Sequence, residues 1–174
     1  MPVQKVNRRL TSFGTFHYCL DMELSNDIFQ IAEVIVTYTP KIKASDRPKI
    51  TKSSDCYAIF MQRWNSKTIC FQEEFKILLL NRASHVLGIA DISMGGMAGT
   101  VCDPKIVFSK ALGGGASAII LAHNHPSGSL TPSHSDIALT SKLCGAGKFL
   151  DIDVFDHLII TPTEYFSFAD QGLL

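Results

Sequence analysis

Apolar and polar positions along the chain fall into short blocks that predict strands alternating with helices. Glu33 to Tyr38 is rich in β-branched residues and predicts a strand that Pro40 ends. Ser53-Ser54-Asp55 is a helix-capping signal, and Tyr57, Phe60 and Met61 recur at helical spacing. Together they predict a helix to about Trp64 with those three side chains in the core. Phe75 to Leu80, apolar but for Lys76, looks like a central strand; Asn81 opens a turn and Val86 to Ile92 returns as an antiparallel partner. Ser93 to Thr100 holds three glycines and two methionines, which suits a substrate-contacting flap or an ordinary loop equally. Asp103-Pro104 then starts a helix that runs to Gly113.

After Gly113-Gly114-Gly115, the run Ala118 to Ala122 predicts a buried strand that ends in His123-Asn124-His125-Pro126. Side chains alternate across a strand, so His123 and His125 share a side, and Pro126 keeps His125 extended. Thr131-Pro132 predicts a helix with Thr131 as N-cap and Pro132 in the first turn. Apolar Ile137, Ala138, Leu139 and Leu143 follow, with a stop expected near Gly145 or Gly147. Val154 to Ile160 predicts a further strand and Tyr165 to Phe168 a short edge. The order β-β-α-β-α-β implies the α/β class: a mixed β-sheet flanked by helices.

Composition narrows the class. The chain has 174 residues, 46% of them hydrophobic, enough for one substantial core. That core is assigned to a domain over residues 51–174, preceded by an extension, residues 1–50, with one strand and a basic connector. Lys and Arg number 16 and Asp and Glu 16, a balance that argues against a general nucleic-acid coat protein. Lys41, Lys43, Arg47, Lys49 and Lys52 do cluster, but without interleaved aromatics they fit a solvated connector better than a nucleic-acid platform. Five cysteines without a Cys-x-x-Cys read as reduced thiols, and no apolar run reaches transmembrane or signal-peptide character. A cytoplasmic protein with no membrane partner is expected.

The candidate chemistry lies where the histidine-bearing strand meets the next helix. Two imidazoles side by side make half of a tetrahedral zinc site, and a carboxylate serves as a third protein ligand. Ser133 and Asp136 are three apart on the predicted helix and share a face, so His123, His125, Ser133 and Asp136 would converge.

The resulting order, His-x-His-Pro-x6-Ser-x2-Asp, resembles the JAMM (MPN+) metalloprotease motif. Ala122 to Gly128, Asp156 to Ile160, and Tyr165 to Ala169 continuing to Gly172 are similar to the RadC family over about residues 40–174. The resemblance implies a three-layer fold related to cytidine deaminases, Zn2+ held by His123, His125 and Asp136, and hydrolysis of peptide or isopeptide bonds in a protein or peptide substrate. It also implies a glutamate base upstream of an apolar strand, which Glu73-Glu74-Phe75 places at Glu73. Glu74 is the alternative and faces the other side of the strand. Ser133 would hydrogen-bond the attacking water or the oxyanion; the bland alternative is plain helix capping. His157 resembles a family position and is expected to be a hydrogen-bonded supporting residue, not a fourth ligand, while His134 is expected to be exposed. Competing readings are a DNA-repair-associated RadC-like protein that binds nucleic acid and a non-catalytic MPN scaffold. Residues 1–50 show no helix-hairpin-helix pattern, and the His-x-Glu and Pro-Cys-x-x-Cys elements of deaminases are missing. Oligomeric state is left open.

Overall fold

The computed structural model describes residues 35–97 and 99–174, and residues 35–174 form one compact unit. Its elements are α1 (Ser53–Met61), β1 (Glu74–Leu80), β2 (Val86–Met94), α2 (Pro104–Gly113), β3 (Ala118–Asn124), α3 (His134–Phe149), β4 (Asp153–Ile160) and β5 (Tyr165–Ser167). The strands make one five-stranded sheet in the order β2-β1-β3-β4-β5. β1 pairs antiparallel with β2 and β3, β3 runs parallel to β4 with α3 as the crossover, and β5 closes the sheet antiparallel.

Every residue of β1 and of β3 is buried, so each strand is covered on both faces; the apolar runs Ile77 to Leu80 and Ala118 to Ala122 reflect this, while Glu74 and Lys76 of β1 are buried as a charged pair. Leu78, Leu80, Ile120 and Leu158 pack with Cys56, Phe60 and Trp64 on the α1 side. Ile77, Leu79, Ile119 and Leu121 pack with Val107, Phe108, Ala111 and Leu143 on the α2 and α3 side. Helix, sheet and helix pair are thus three layers of a mixed α/β fold.

Local readings fared unevenly. No strand forms over Ile35 to Pro40; Glu33 and Val34 lie outside the described residues. Ile35 and Val36 are each 70% exposed, so the β-branched run has no ladder partner among the described residues, and propensity without pairing does not make a strand. Helix α1 ends at Met61 rather than near Trp64; Cys56 and Phe60 are its buried residues, with Tyr57 and Met61 half-buried beside them. Helix α2 starts as expected, the Asp103 carboxylate accepting from the Lys105 N–H at 2.9 Å.

Helix α3 departs from expectation at both ends. Its N-cap is Ser133, not Thr131, because Ser133 and Asp136 form a reciprocal capping box that satisfies two first-turn amides. At the other end the helix passes through Gly145 and Gly147 to Phe149. The turn is made by Asp151, at φ 52, and the Leu150 and Ile152 N–H groups both donate to the Gly147 carbonyl at 3.0 Å. Gly147 is not the stop signal; a Cβ there would collide with the Ile152 carbonyl oxygen.

Candidate metal centre

The end of β3 and the first turn of α3 meet at one point. His123 sits in register between Phe75 of β1 and Ile159 of β4, which fixes its backbone from both sides. His125 follows the strand, its N–H donating to the Ile160 carbonyl at 3.4 Å, and the chain then turns through Gly128 at φ 79. Asp136 is delivered by the capping box, with Oδ2 accepting from the Ser133 N–H and Oγ–H, each at 2.7 Å.

The donor atoms converge. His123 Nε2 and His125 Nε2 are 2.9 Å apart, and Asp136 oxygens lie 3.3 Å from the first and 3.6 Å from the second. Two donors about 2.0–2.1 Å from one ion at a tetrahedral angle sit about 3.3 Å apart, so these separations bracket the spacing a zinc ion needs. His123, His125 and Asp136 are the candidate metal-holding cluster among the described residues.

Hydrogen-bond logic supports the same fit. The Ser129 carbonyl can only accept, so His125 Nδ1, 2.8 Å away, carries the proton and Nε2 presents a lone pair. Thr140 Oγ1 donates to the Asp136 carbonyl at 2.6 Å, so it accepts from His157 Nδ1–H, also at 2.6 Å. His157 Nε2 is then the acceptor for His123 Nδ1–H at 2.8 Å, which leaves a second lone pair on His123 Nε2. Two imidazole lone pairs facing each other repel unless a cation or a proton lies between them.

Electrostatics point the same way. Burial lowers the His123 pKa to about 4 and also holds His157 well below its ordinary value, so both are neutral imidazoles. Burial would raise Asp136, but its polar contacts with His125, Ser133 and His123 outweigh it and hold the carboxyl well below the usual range. The Asp136 carboxylate, 3.6 Å away, raises His125 in turn, so this point of the protein draws positive charge.

The cluster opens into a cleft of about 730 Å³ that Glu73 and Ser133 also line, with Phe75, Met97, Val101, Pro126 and Leu139 among its walls. Glu73 is half-buried, and burial raises its pKa, with Asp136 adding to the rise and His125 opposing it. Glu74 is engaged elsewhere: it is buried, bonded to Lys76 Nζ at 2.6 Å and to the Thr68 hydroxyl at 3.1 Å. Ser133 lies at the cleft and caps α3 at once, so both readings of it rest on real contacts. His157 is buried behind His123 and His134 is exposed.

Sequence reasoning missed Thr140 and Asn124. Thr140 stands four residues after Asp136, one helical turn on, a spacing that could have flagged it. Asn124 is a polar residue at the end of an apolar strand, the signal of a buried group with dedicated partners.

Comparison with known proteins fits this arrangement. A 45% identical UPF0758 protein of Flavobacterium johnsoniae aligns over 125 residues, 72% of this chain and 53% of the relative. One from Porphyromonas gingivalis is 47% identical over 104 residues, 59% of this chain and 46% of its own length. One from Methanosarcina acetivorans is 33% identical over 147 residues, 84% and 61% respectively. The chain therefore spans about half the length of the curated relatives it matches. No helix among the described residues is long and apolar enough to cross a membrane. The family model for the RadC-like JAB domain matches residues 50–173, which takes in the whole sheet, all three helices and the convergent His123, His125 and Asp136: the chain belongs to that family.

Proposed function

We propose that this domain is a zinc-dependent hydrolase of peptide or isopeptide bonds, acting in the cytoplasm on a protein or peptide substrate. The observation that carries the reading is the pair of imidazole lone pairs, 2.9 Å apart beside Asp136, at the floor of a cleft that Glu73 lines. His123, His125 and Asp136 would hold the ion. Zinc, when bound, polarises a scissile carbonyl and lowers the pKa of water toward about 7.

The remaining chemistry falls to the chain's own side chains. Glu73, with a pKa raised chiefly by burial, is suited to take a proton from the attacking water and return it to the leaving amine. Ser133 Oγ–H, at the same cleft, is suited to donate to the developing oxyanion once it turns from Asp136. Among the described residues, the cleft lining contains no Lys or Arg. A phosphodiester would need such cations, so the lining favours an amide substrate with apolar flanking groups over nucleic acid.

The test is metal analysis with activity on a peptide or isopeptide library. About one zinc per chain, removed by chelator together with hydrolysis, is expected. A folded, metal-replete protein that leaves every amide intact would refute the reading.

A further inference from the structure

Asn124, the last residue of β3, stands between the two histidines, yet its side chain leaves the sheet on the opposite face, with Ala118, Ile120 and Ala122. That face packs in an apolar cluster, and Asn124 is 0% exposed. An amide in such surroundings is costly unless its hydrogen bonds are satisfied. Here they are: Nδ2 donates to the Ile69 carbonyl at 2.7 Å and the Gln72 carbonyl at 2.8 Å, while Oδ1 accepts from the Glu74 N–H at 2.8 Å.

Two of these partners flank Glu73. The Gln72 carbonyl belongs to the peptide group before Glu73 and the Glu74 N–H to the one after it. The other edges of the same two groups are also bonded: the Glu73 N–H donates to the Gly96 carbonyl at 3.0 Å, and its carbonyl accepts from the Gly95 N–H at 2.8 Å. Four hydrogen bonds therefore fix both peptide planes around Glu73, two of them made by one side chain that is covalently continuous with His123 and His125.

We propose that Asn124 is a positioning residue for Glu73, setting where that carboxylate stands relative to His123, His125 and Asp136. The inference rests on the hydrolytic reading of the cleft. It goes further by assigning the link between the segment that carries the base and the one that carries two of the metal ligands, made by the Glu74 to Asn124 hydrogen bond across 50 residues of sequence. A merely structural Asn124 would tie a loop to a strand with no consequence for the electronic surroundings of the ion.

Cobalt is the probe, since its visible absorption reports a bound ion without any substrate. Cobalt-loaded full chain is titrated with pH as wild type, Glu73→Gln, Asn124→Ser, Asn124→Ala and the Glu73→Gln/Asn124→Ser double variant. The Asn124 variants are expected to keep cobalt affinity within about threefold of wild type, whereas losing a group bonded directly to a ligand costs about 10–100-fold. Their absorption midpoint should move as Glu73→Gln moves it, with no further shift in the double variant. A wild-type midpoint in a folded Asn124 variant, or an additive shift in the double, overturns the link. Failure of the wild type to bind cobalt removes instead the hydrolytic reading beneath it. Should neither Asn124 variant fold, hydrogen exchange of the wild type decides. The Glu74 amide should exchange as slowly as the β1 amides, and exchange at the rate of exposed loops overturns the proposal.

Discussion

His157 accepts a hydrogen bond from His123 through Nε2, at 2.8 Å, and is itself held by Thr140 through Nδ1, at 2.6 Å. Thr140 in turn donates to the backbone carbonyl of Asp136. One proposed metal ligand is thus joined to the helix that carries another, and the chain of bonds sets the tautomer in which His123 Nε2 is free to ligate.

His157→Gln should therefore weaken zinc by about 10–100-fold while leaving all three ligands in place. Competition against a chromophoric chelator measures it. Affinity equal to wild type would show that His123 adopts its ligating tautomer without help.

Glu73→Gln and Glu74→Gln should separate cleanly. The first removes the proposed base and should lower hydrolysis by about 10²–10⁴-fold with zinc retained and stability little changed. The second leaves the buried Lys76 ammonium, among the described residues, with the Trp64 ring face and the carboxylate of Asp91, whose side chain is 70% exposed. Breaking a buried pair costs about 3–5 kcal/mol, and the surviving Asp91 contact places this case toward the lower end. Denaturant titration reads the second effect and turnover the first; the reverse pattern would move the base to Glu74.

The sequence carried this much and no more for physical reasons. Short runs rich in apolar residues made β1 and β3 legible, and the Asp103-Pro104 signal located α2 because cap and proline act within one turn. The same rule misplaced the start of α3, since Thr131-Pro132 carries the signal while Ser133 and Asp136 hold the reciprocal cap. Strand alternation shows that Glu73 and Glu74 face opposite ways, but not which face is the cleft; Lys76, two residues on and on the same face as Glu74, held that answer. The bonds from Asn124 to Glu74 and from His157 to His123 join residues brought together only by the sheet, so no local pattern announces them.

Gly147 tests the reading of a glycine as a contact rather than a stop. Its missing Cβ makes room for the Ile152 carbonyl, and Phe108 lies 3.6 Å from the same position. Backbone cannot swing aside as a side chain does, so Gly147→Ala should cost about 1–3 kcal/mol despite alanine's better helix propensity. A stabilised variant in denaturant melts would return Gly147 to the role of a helix terminator.

Thiol chemistry follows burial. Burial, with Asp156 and Asp55 adding to it, raises the Cys56 pKa to about 12 from an ordinary 9.0. About a thousandfold less thiolate is then present near neutral pH, and the group is sterically covered as well. Cys70 is exposed. Brief alkylation of the native protein at pH 8, mapped by peptide mass, should mark Cys70 before Cys56, and Cys56 only after unfolding; early labelling of Cys56 would show that the α1 side of the sheet opens readily.

Removing the metal should loosen the junction of β3 and α3 in particular. His123 and His125 come from the strand end and Asp136 from the first turn of the helix, so an ion shared by the three crosslinks two separate elements. A ligand at 100 times its dissociation constant adds about 2.7 kcal/mol to folding. For a domain of this size that is a rise of roughly 5–10 °C in Tm, at about 2–4 °C per kcal/mol. Chelation should reverse it. Asp136→Asn keeps an oxygen to accept the Ser133 bonds but discards the charge, so its Tm should barely respond to zinc or chelator, while Lys43→Ala should respond as wild type does. Equal zinc responses in wild type and Asp136→Asn would place the stabilising ion somewhere other than this triad.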